Sequence, residues 1–158
     1  MDRIAAQWER ERPDLDVGAL LLFARLFRSA HLANGALAGM LAEHELQPGW
    51  FDLLAALRRA GDPYELNPTQ LMQTTMLSSG GMTKRLDRIA EAGLVERRAD
   101  PSDRRGTLVR LTPRGLDVVD RALESHVANE ESLLRPLSPA ERRSLDSLLR
   151  KLLAELEA

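Results

Sequence analysis

Residues 77–115 read LSSGGMTKRLDRIAEAGLVERRADPSDRRGTLVRLTPRG. Small polar residues (Ser78, Ser79, Gly80, Gly81) open a predicted helix, Ser79 to about Ala92, that carries Lys84, Arg85 and Arg88. Gly93 stops it, because glycine readily takes the left-handed conformation of a helix end. Two runs, Leu94 to Arg98 and Thr107 to Leu111, alternate enough to pair as a hairpin. Its turn ends in Asp103-Arg104-Arg105-Gly106. A helix able to enter one DNA groove, followed by a basic hairpin able to reach a second, predicts a winged helix-turn-helix. Such geometry implies duplex DNA as the ligand.

On a wheel of about 100° per residue, Met82, Leu86 and Ile89 share one side and face the core. Gly80, Thr83, Lys84 and Asp87 fall opposite. This outer face is short-chained, so backbone can approach base edges closely. Ser78, Ser79 and Thr83 can bond bases or phosphates, and free N–H groups at the helix start can bind a phosphate. Lys84 and Arg88 suit phosphate better than base edges. An arginine at the wing tip, Arg104 or Arg105, can enter a narrow minor groove, and Asp103 can hold Arg105 extended. The alternatives are an ordinary amphipathic surface helix and a solvated charged turn.

The chain has 158 residues, enough for one domain with a core. Hydrophobic content of 44% and charged content of 29% are ordinary for a globular protein, which argues against disorder. No apolar run approaches the ~18 residues of a membrane span. The opening MDRIAAQWERERPDLD is charged throughout and has no apolar signal core, so the cytoplasm is the expected location. The absence of cysteine excludes disulfides, thiolate zinc sites and thiol redox sensing. Between Lys84 and Arg114 there are nine Lys/Arg and five Asp/Glu, a local charge of +4; the remainder must carry −6 to reach the net −2. Attraction for phosphate is therefore concentrated on one segment.

Long helices flank this module. A short amphipathic piece covers Ile4 to Glu11. Asp16 caps a helix running to about Glu43, with Leu20, Phe23, Phe27, Leu37 and Leu41 on its apolar side. Pro48 opens a helix bearing Trp50, Leu53, Leu54 and Leu57, and Gly61-Asp62-Pro63 ends it. Asn67-Pro68 starts a helix over Thr69 to about Thr74. Thr112-Pro113 starts another with Leu116, Val119, Leu123 and Val127 on one stripe. Ser138-Pro139-Ala140-Glu141 is a capping box before a last helix bearing Leu145, Leu148, Leu149, Leu152, Leu153 and Leu156. That stripe is too dense for a solvated helix. It packs either on the first long helix of the same chain or in a two-fold dimer built from both chain ends. The fold class expected is mainly α with a small β-hairpin wing, the N- and C-terminal helices forming a dimerisation lobe.

With the order of elements, LSSGGMTKRLDRIAEAGLVERR and DPSDRRGTLVRLTPRG, the chain resembles the MarR family of bacterial transcriptional regulators from about Asp16 onward. The resemblance implies one domain over 1–158, with dimerisation helices about 16–44 and 113–157 and a winged helix-turn-helix about 48–112. Thr69 to Thr74 would be the first helix of the motif and Ser79 to Ala92 the recognition helix. It implies a homodimer on pseudo-palindromic duplex DNA, and a repressor relieved by a small anionic or aromatic ligand. The DNA-binding residues expected are Ser78, Ser79, Gly80, Thr83, Lys84, Arg88, Asp103, Arg104 and Arg105.

Trp8, Asp52, Arg85 and Arg97 further resemble, in order and spacing, the ligand set of the urate-responsive members. Arg85 lies beside Met82 and Ile89, so it needs a counter-charge from Asp52 or from an anionic ligand. The other reading makes Asp52 a helix N-terminal acid and Trp8 an anchor for the N-terminal piece. His31, His44 and His126 lack metal-ligand spacing; His31 and Asn34 read as polar core or interface residues. No G-x-S-x-G, P-loop, G-x-G-x-x-G or H-E-x-x-H occurs, so no enzyme, metal or cofactor is expected. The alternative function is a winged-helix interaction module without DNA binding.

Overall fold

Local capping chemistry sets the starts of four helices in the computed structural model, which describes residues 2–47, 49–75, 81–101, 103 and 106–158. The Asp16 carboxylate accepts from the Gly18 amide at 2.8 Å, where α2 (Gly18–Glu43) begins. Asn67 and Gln70 exchange side-chain bonds at 2.8 and 2.9 Å at the start of α4 (Pro68–Thr74). Thr112 Oγ1 accepts from the Gly115 amide at 2.9 Å and opens α6 (Pro113–Leu133). Ser138 and Glu141 form the expected box at the start of α7 (Pro139–Leu156). Each satisfies amides that the first helical turn leaves without acceptors. The prolines at the first positions of α4, α6 and α7 have no amide to satisfy.

The remaining elements are α1 (Asp2–Glu11), α3 (Trp50–Arg59), β1 (Glu65–Leu66), α5 (Met82–Glu91), β2 (Val95–Ala99) and β3 (Thr107–Leu111). The fold is mainly helical with a small antiparallel sheet, as the sequence predicts. Pro48, expected to open α3, lies outside the described residues. Residues 1–39 and 40–158 form two compact units. In the first, Leu20, Phe23 and Phe27 of α2 are exposed, Phe27 at 66%. No described helix is long and apolar enough to cross a membrane.

The core belongs to the second unit. Leu53, Leu54 and Leu57 of α3 meet Leu71 of α4, Met82, Leu86 and Ile89 of α5, Val109 and Leu111 of β3, and Val119 of α6. Fully burying a leucine or isoleucine contributes roughly 1.5–3 kcal/mol, so this set dominates the stability of the unit. The sheet has the order β1-β3-β2. Val95 pairs with Leu111 and Ala99 with Thr107, which is the expected hairpin. The third strand, β1, was not expected. Two residues are too few to show alternation, and only pairing with Val109 and Arg110 makes them a strand.

The buried face of α6 differs from the expected stripe. Val119 is fully buried and Leu116 packs partly buried against the core, but Leu123 and Val127 are 41% and 56% exposed. The core side is instead Gly115, Val119 and Ala122. Small residues let the helix approach closely, a signal that a search for large apolar residues misses. A β-carbon at Gly115 would stand 1.9 Å from the Leu94 carbonyl oxygen. Helix α7 has no buried residue among those described, and Leu145, Leu148, Leu153 and Leu156 are exposed. Arg142 holds the α6–α7 turn by donating to the carbonyls of Leu134 and Leu137 at 2.9 and 3.1 Å.

Gly115→Ala is expected to destabilise the protein by about 3 kcal/mol or more, because the clash is with backbone that cannot rotate away. Urea unfolding measures it. A midpoint equal to that of the unchanged protein would mean that the start of α6 moves aside freely.

Candidate nucleic-acid interface

Helix α5 begins at Met82, not at Ser79. Gly81 has φ 85°, a left-handed conformation that ends any helix running through it. The expected DNA contacts Ser78, Ser79 and Gly80 lie outside the described residues. The wheel reading holds from Met82 onward. Met82, Leu86 and Ile89 are buried, while Thr83, Lys84 and Arg88 are exposed on the other side. Arg85 is partly buried on the flank between them.

Asp87 sits on this outer face, where a carboxylate would repel phosphate. Arg97 of β2 meets it, with Nη2 2.6 Å from Oδ1. The pair ties the recognition helix to the sheet and cancels the negative charge. Arg97 was expected at a ligand site, and here its partner is Asp87. Asp52 is exposed in the first turn of α3 and, among the described residues, makes no ion pair with Arg85. At that position its charge complements the positive helix end. Trp8, 41% exposed, belongs to the other compact unit.

Arg85 instead lines a cleft of about 280 Å³ with Gln47, Trp50, Gly81, Lys84 and Arg88. Sequence reading placed Trp50 in the core and gave Gln47 no role. Neither shares an element with Arg85, so no helical periodicity links them to it.

The wing turn closes on itself. Asp100 N donates to the Gly106 carbonyl at 3.0 Å, and Gly106 N to the Asp103 carbonyl at 2.8 Å. A β-carbon on Gly106 would lie 2.9 Å from Asp100 Cβ and 3.2 Å from the Asp103 oxygen, so glycine suits the turn. Arg104 and Arg105 lie outside the described residues. The base of the wing is tied down: Leu111 N donates to the Tyr64 carbonyl at 3.1 Å, and Arg110 Nε to the Pro63 carbonyl at 3.1 Å. Arg58 joins α3 to α6 by bonding Asp120 at 2.8 Å, with its guanidinium 5.1 Å from the centre of the Tyr64 ring. Hydrogen bonding to Asp120 raises the Arg58 pKa above the usual arginine value.

No group of three or more His, Cys, Asp or Glu among the described residues is placed to hold a metal. His44 bonds Ser125 Oγ at 2.8 Å, and His126 stacks on Phe51 with ring centres 4.7 Å apart. His31 and Asn34 are exposed in the single chain.

The sequence model described as the MarR family matches residues 44–106, from the end of α2 to the wing turn. The transcriptional regulator PecS of Dickeya dadantii is 39% identical over 146 residues, covering 92% of this chain and 88% of that protein. A cysteine-to-serine variant of Escherichia coli MarR in complex with operator DNA has a similar structure: TM-score 0.73, 25% identity, 92% of this chain and 97% of the other. BpsR of Bordetella bronchiseptica, whose DNA binding is regulated by 6-hydroxynicotinic acid, gives TM-score 0.72, 27% identity, 87% of this chain and 92% of the other. These relatives are DNA-binding regulators and not enzymes. With its winged helix-turn-helix and a similarity spanning nine-tenths of its length, the chain belongs to the MarR family of transcriptional regulators.

Proposed function

We propose that the chain is a homodimeric repressor of pseudo-palindromic duplex DNA, released by a small anionic or aromatic ligand. The observation that carries the DNA reading is the outer face of α5. Thr83, Lys84 and Arg88 are presented outward, and Asp87 between them is neutralised by Arg97, leaving Glu91 at the last turn as the other acid on this side. Ser78, Ser79 and Gly80 would add contacts at the helix start, and Asp103, Arg104 and Arg105 at the wing. The operator complex of Escherichia coli MarR supports this reading.

Exposed leucines on α7, with Leu123 and Val127 of α6 and Phe27 of α2, support a dimer. So much apolar surface is unusual on a solvated helix and marks an interface. In this reading residues 1–158 are one domain, with dimerisation helices 16–44 and 113–157 around a winged helix-turn-helix at 48–112. The protein acts in the cytoplasm without a cofactor. Effector contacts are Trp8, Asp52, Arg85 and Arg97, and regulation of BpsR by 6-hydroxynicotinic acid supports a ligand of this kind. An anion that drew Arg97 away would expose the Asp87 charge to DNA phosphates.

Footprinting on the region upstream of the chain's own gene, followed by titration across a salt series, tests the assignment. Several phosphate contacts should give a steep linear fall of log affinity with log salt. Arg88→Gln and Arg105→Ala should each weaken binding about tenfold and lower that slope by about one. A flat salt response would sink the DNA reading.

The Asp87–Arg97 pair gives a second test. Arg97→Gln should weaken DNA binding about five- to tenfold, since an unpaired carboxylate then faces phosphate. Adding Asp87→Asn should recover most of the loss. If the double variant binds no better than Arg97→Gln alone, the pair does not act by charge cancellation.

A further inference from the structure

Tyr64 adopts φ 61°, a left-handed backbone conformation disfavoured for a residue with a β-carbon. Its surroundings hold it there. The Tyr64 amide donates to the Gly61 carbonyl at 2.5 Å, and the Tyr64 carbonyl accepts the Leu111 amide at 3.1 Å. The Arg58 guanidinium lies over the tyrosine ring, 5.1 Å from its centre. A guanidinium at that distance is attracted to the negative face of the ring.

The residues after Tyr64 pair with the wing. Glu65 lies opposite Arg110 and Leu66 opposite Val109, and Arg110 Nε donates to the Pro63 carbonyl at 3.1 Å. Residues 63–66 are thus a rail along the root of β3. The φ of Tyr64 decides how the chain turns into that rail from the loop after α3. Arg58 links the rail to a helix, because its Nε also donates to Asp120 Oδ1 of α6 at 2.8 Å.

Helix α6 therefore grips both margins of the sheet, whose order is β1-β3-β2. Gly115 in its first turn packs on Leu94, which leads into β2. Asp120, five residues on, reaches Tyr64 and β1 through Arg58. The two points are about 7.5 Å apart along the helix axis. A single contact would leave the hairpin able to tilt about it; a second at the opposite margin resists the tilt. The hairpin is a lever, with five residues, or roughly 17 Å of strand, between Leu111 and Gly106. A tilt of about 10° at the root moves its end by roughly 3 Å. Hydrogen-bond lengths span only about 0.5 Å, so a contact at the tip would be lost.

We infer that Arg58 is a positioning residue for DNA binding: it sets the angle at which the wing meets the duplex, acting through Tyr64 and Asp120 without contacting DNA. The inference rests on the wing reading above. Arg58 and Asp120 are 38% and 43% exposed, and so open an ion pair adds little to the stability of the fold. Its contribution is to placement.

A double-variant cycle on the full chain tests this. Anisotropy of a labelled duplex from the footprinted region reads affinity, and urea unfolding checks the fold. Arg58→Gln should weaken binding about fivefold, with an unfolding midpoint close to that of the unchanged protein. Arg104→Ala with Arg105→Ala removes the tip contact. In that background Arg58→Gln should cost less than about twofold, because a tip without its arginines has nothing left to misplace. Tyr64→Phe keeps the ring beneath the guanidinium and should bind as the unchanged protein does. Tyr64→Leu removes the ring and should repeat the effect of Arg58→Gln; it replaces that variant in the cycle if Arg58→Gln does not fold.

Losses that multiply would mean that Arg58 contacts DNA directly or supports the fold at large, and would overturn the inference. Unchanged affinity in Arg58→Gln or Tyr64→Leu would overturn it too. Failure of the wing reading looks different: removing both tip arginines would then cost nothing, and the inference would fall with it.

Discussion

The Leu94 carbonyl accepts the Thr112 amide at 3.1 Å, and the same oxygen faces Gly115 across a gap too narrow for any side chain. Thr112 Oγ1 donates to the Gly93 carbonyl at 2.8 Å. Four elements therefore converge within a few atoms: the end of α5, the start of β2, the end of β3 and the first turn of α6. Closely packed backbone is stiff, because there is no flexible side chain between the parts to absorb a displacement. The recognition helix and wing are thus held in a fixed relation to each other and to α6. A rotation of α6 about its start cannot leave α5 behind.

Charge on this surface is governed by pairing more than by number. Nine cations lie between Lys84 and Arg114. Of those described, Arg97 and Arg98 meet acids, and Arg110 and Arg114 cap carbonyls. They work as fasteners of the sheet and the α6 junction. Among the described residues, the cations left over in this stretch are those on α5. A sequence count treats all nine alike and overstates the charge available to a polyanion. The structure separates them by what each already touches.

Helix boundaries were legible where one side chain and one backbone amide decide them, as at Asn67, Thr112 and Ser138. The two strands of the hairpin followed from alternation, and the inward face of α5 from its periodicity. Other features depend on partners distant in sequence. The start of α5 shifted to Met82 because Gly81 takes a left-handed φ, which composition alone does not dictate. Strand β1 exists only through its pairing with β3. The packed face of α6 hides behind glycine and alanine. Asp87 and Arg97 lie on separate elements, as do Gln47, Trp50 and Arg85, so neither grouping follows from a wheel. Gln47 and Trp50 took no part in the expected site for that reason.

The sheet has two free margins, and both are poor templates. One is β1, only two residues long; the other is β2, which presents Glu96, Arg97 and Arg98 along most of its length. A short rim and a charged rim resist extension by a foreign strand. Extension of this sheet by a strand of another molecule is therefore disfavoured at both margins, and the sheet stays at three strands.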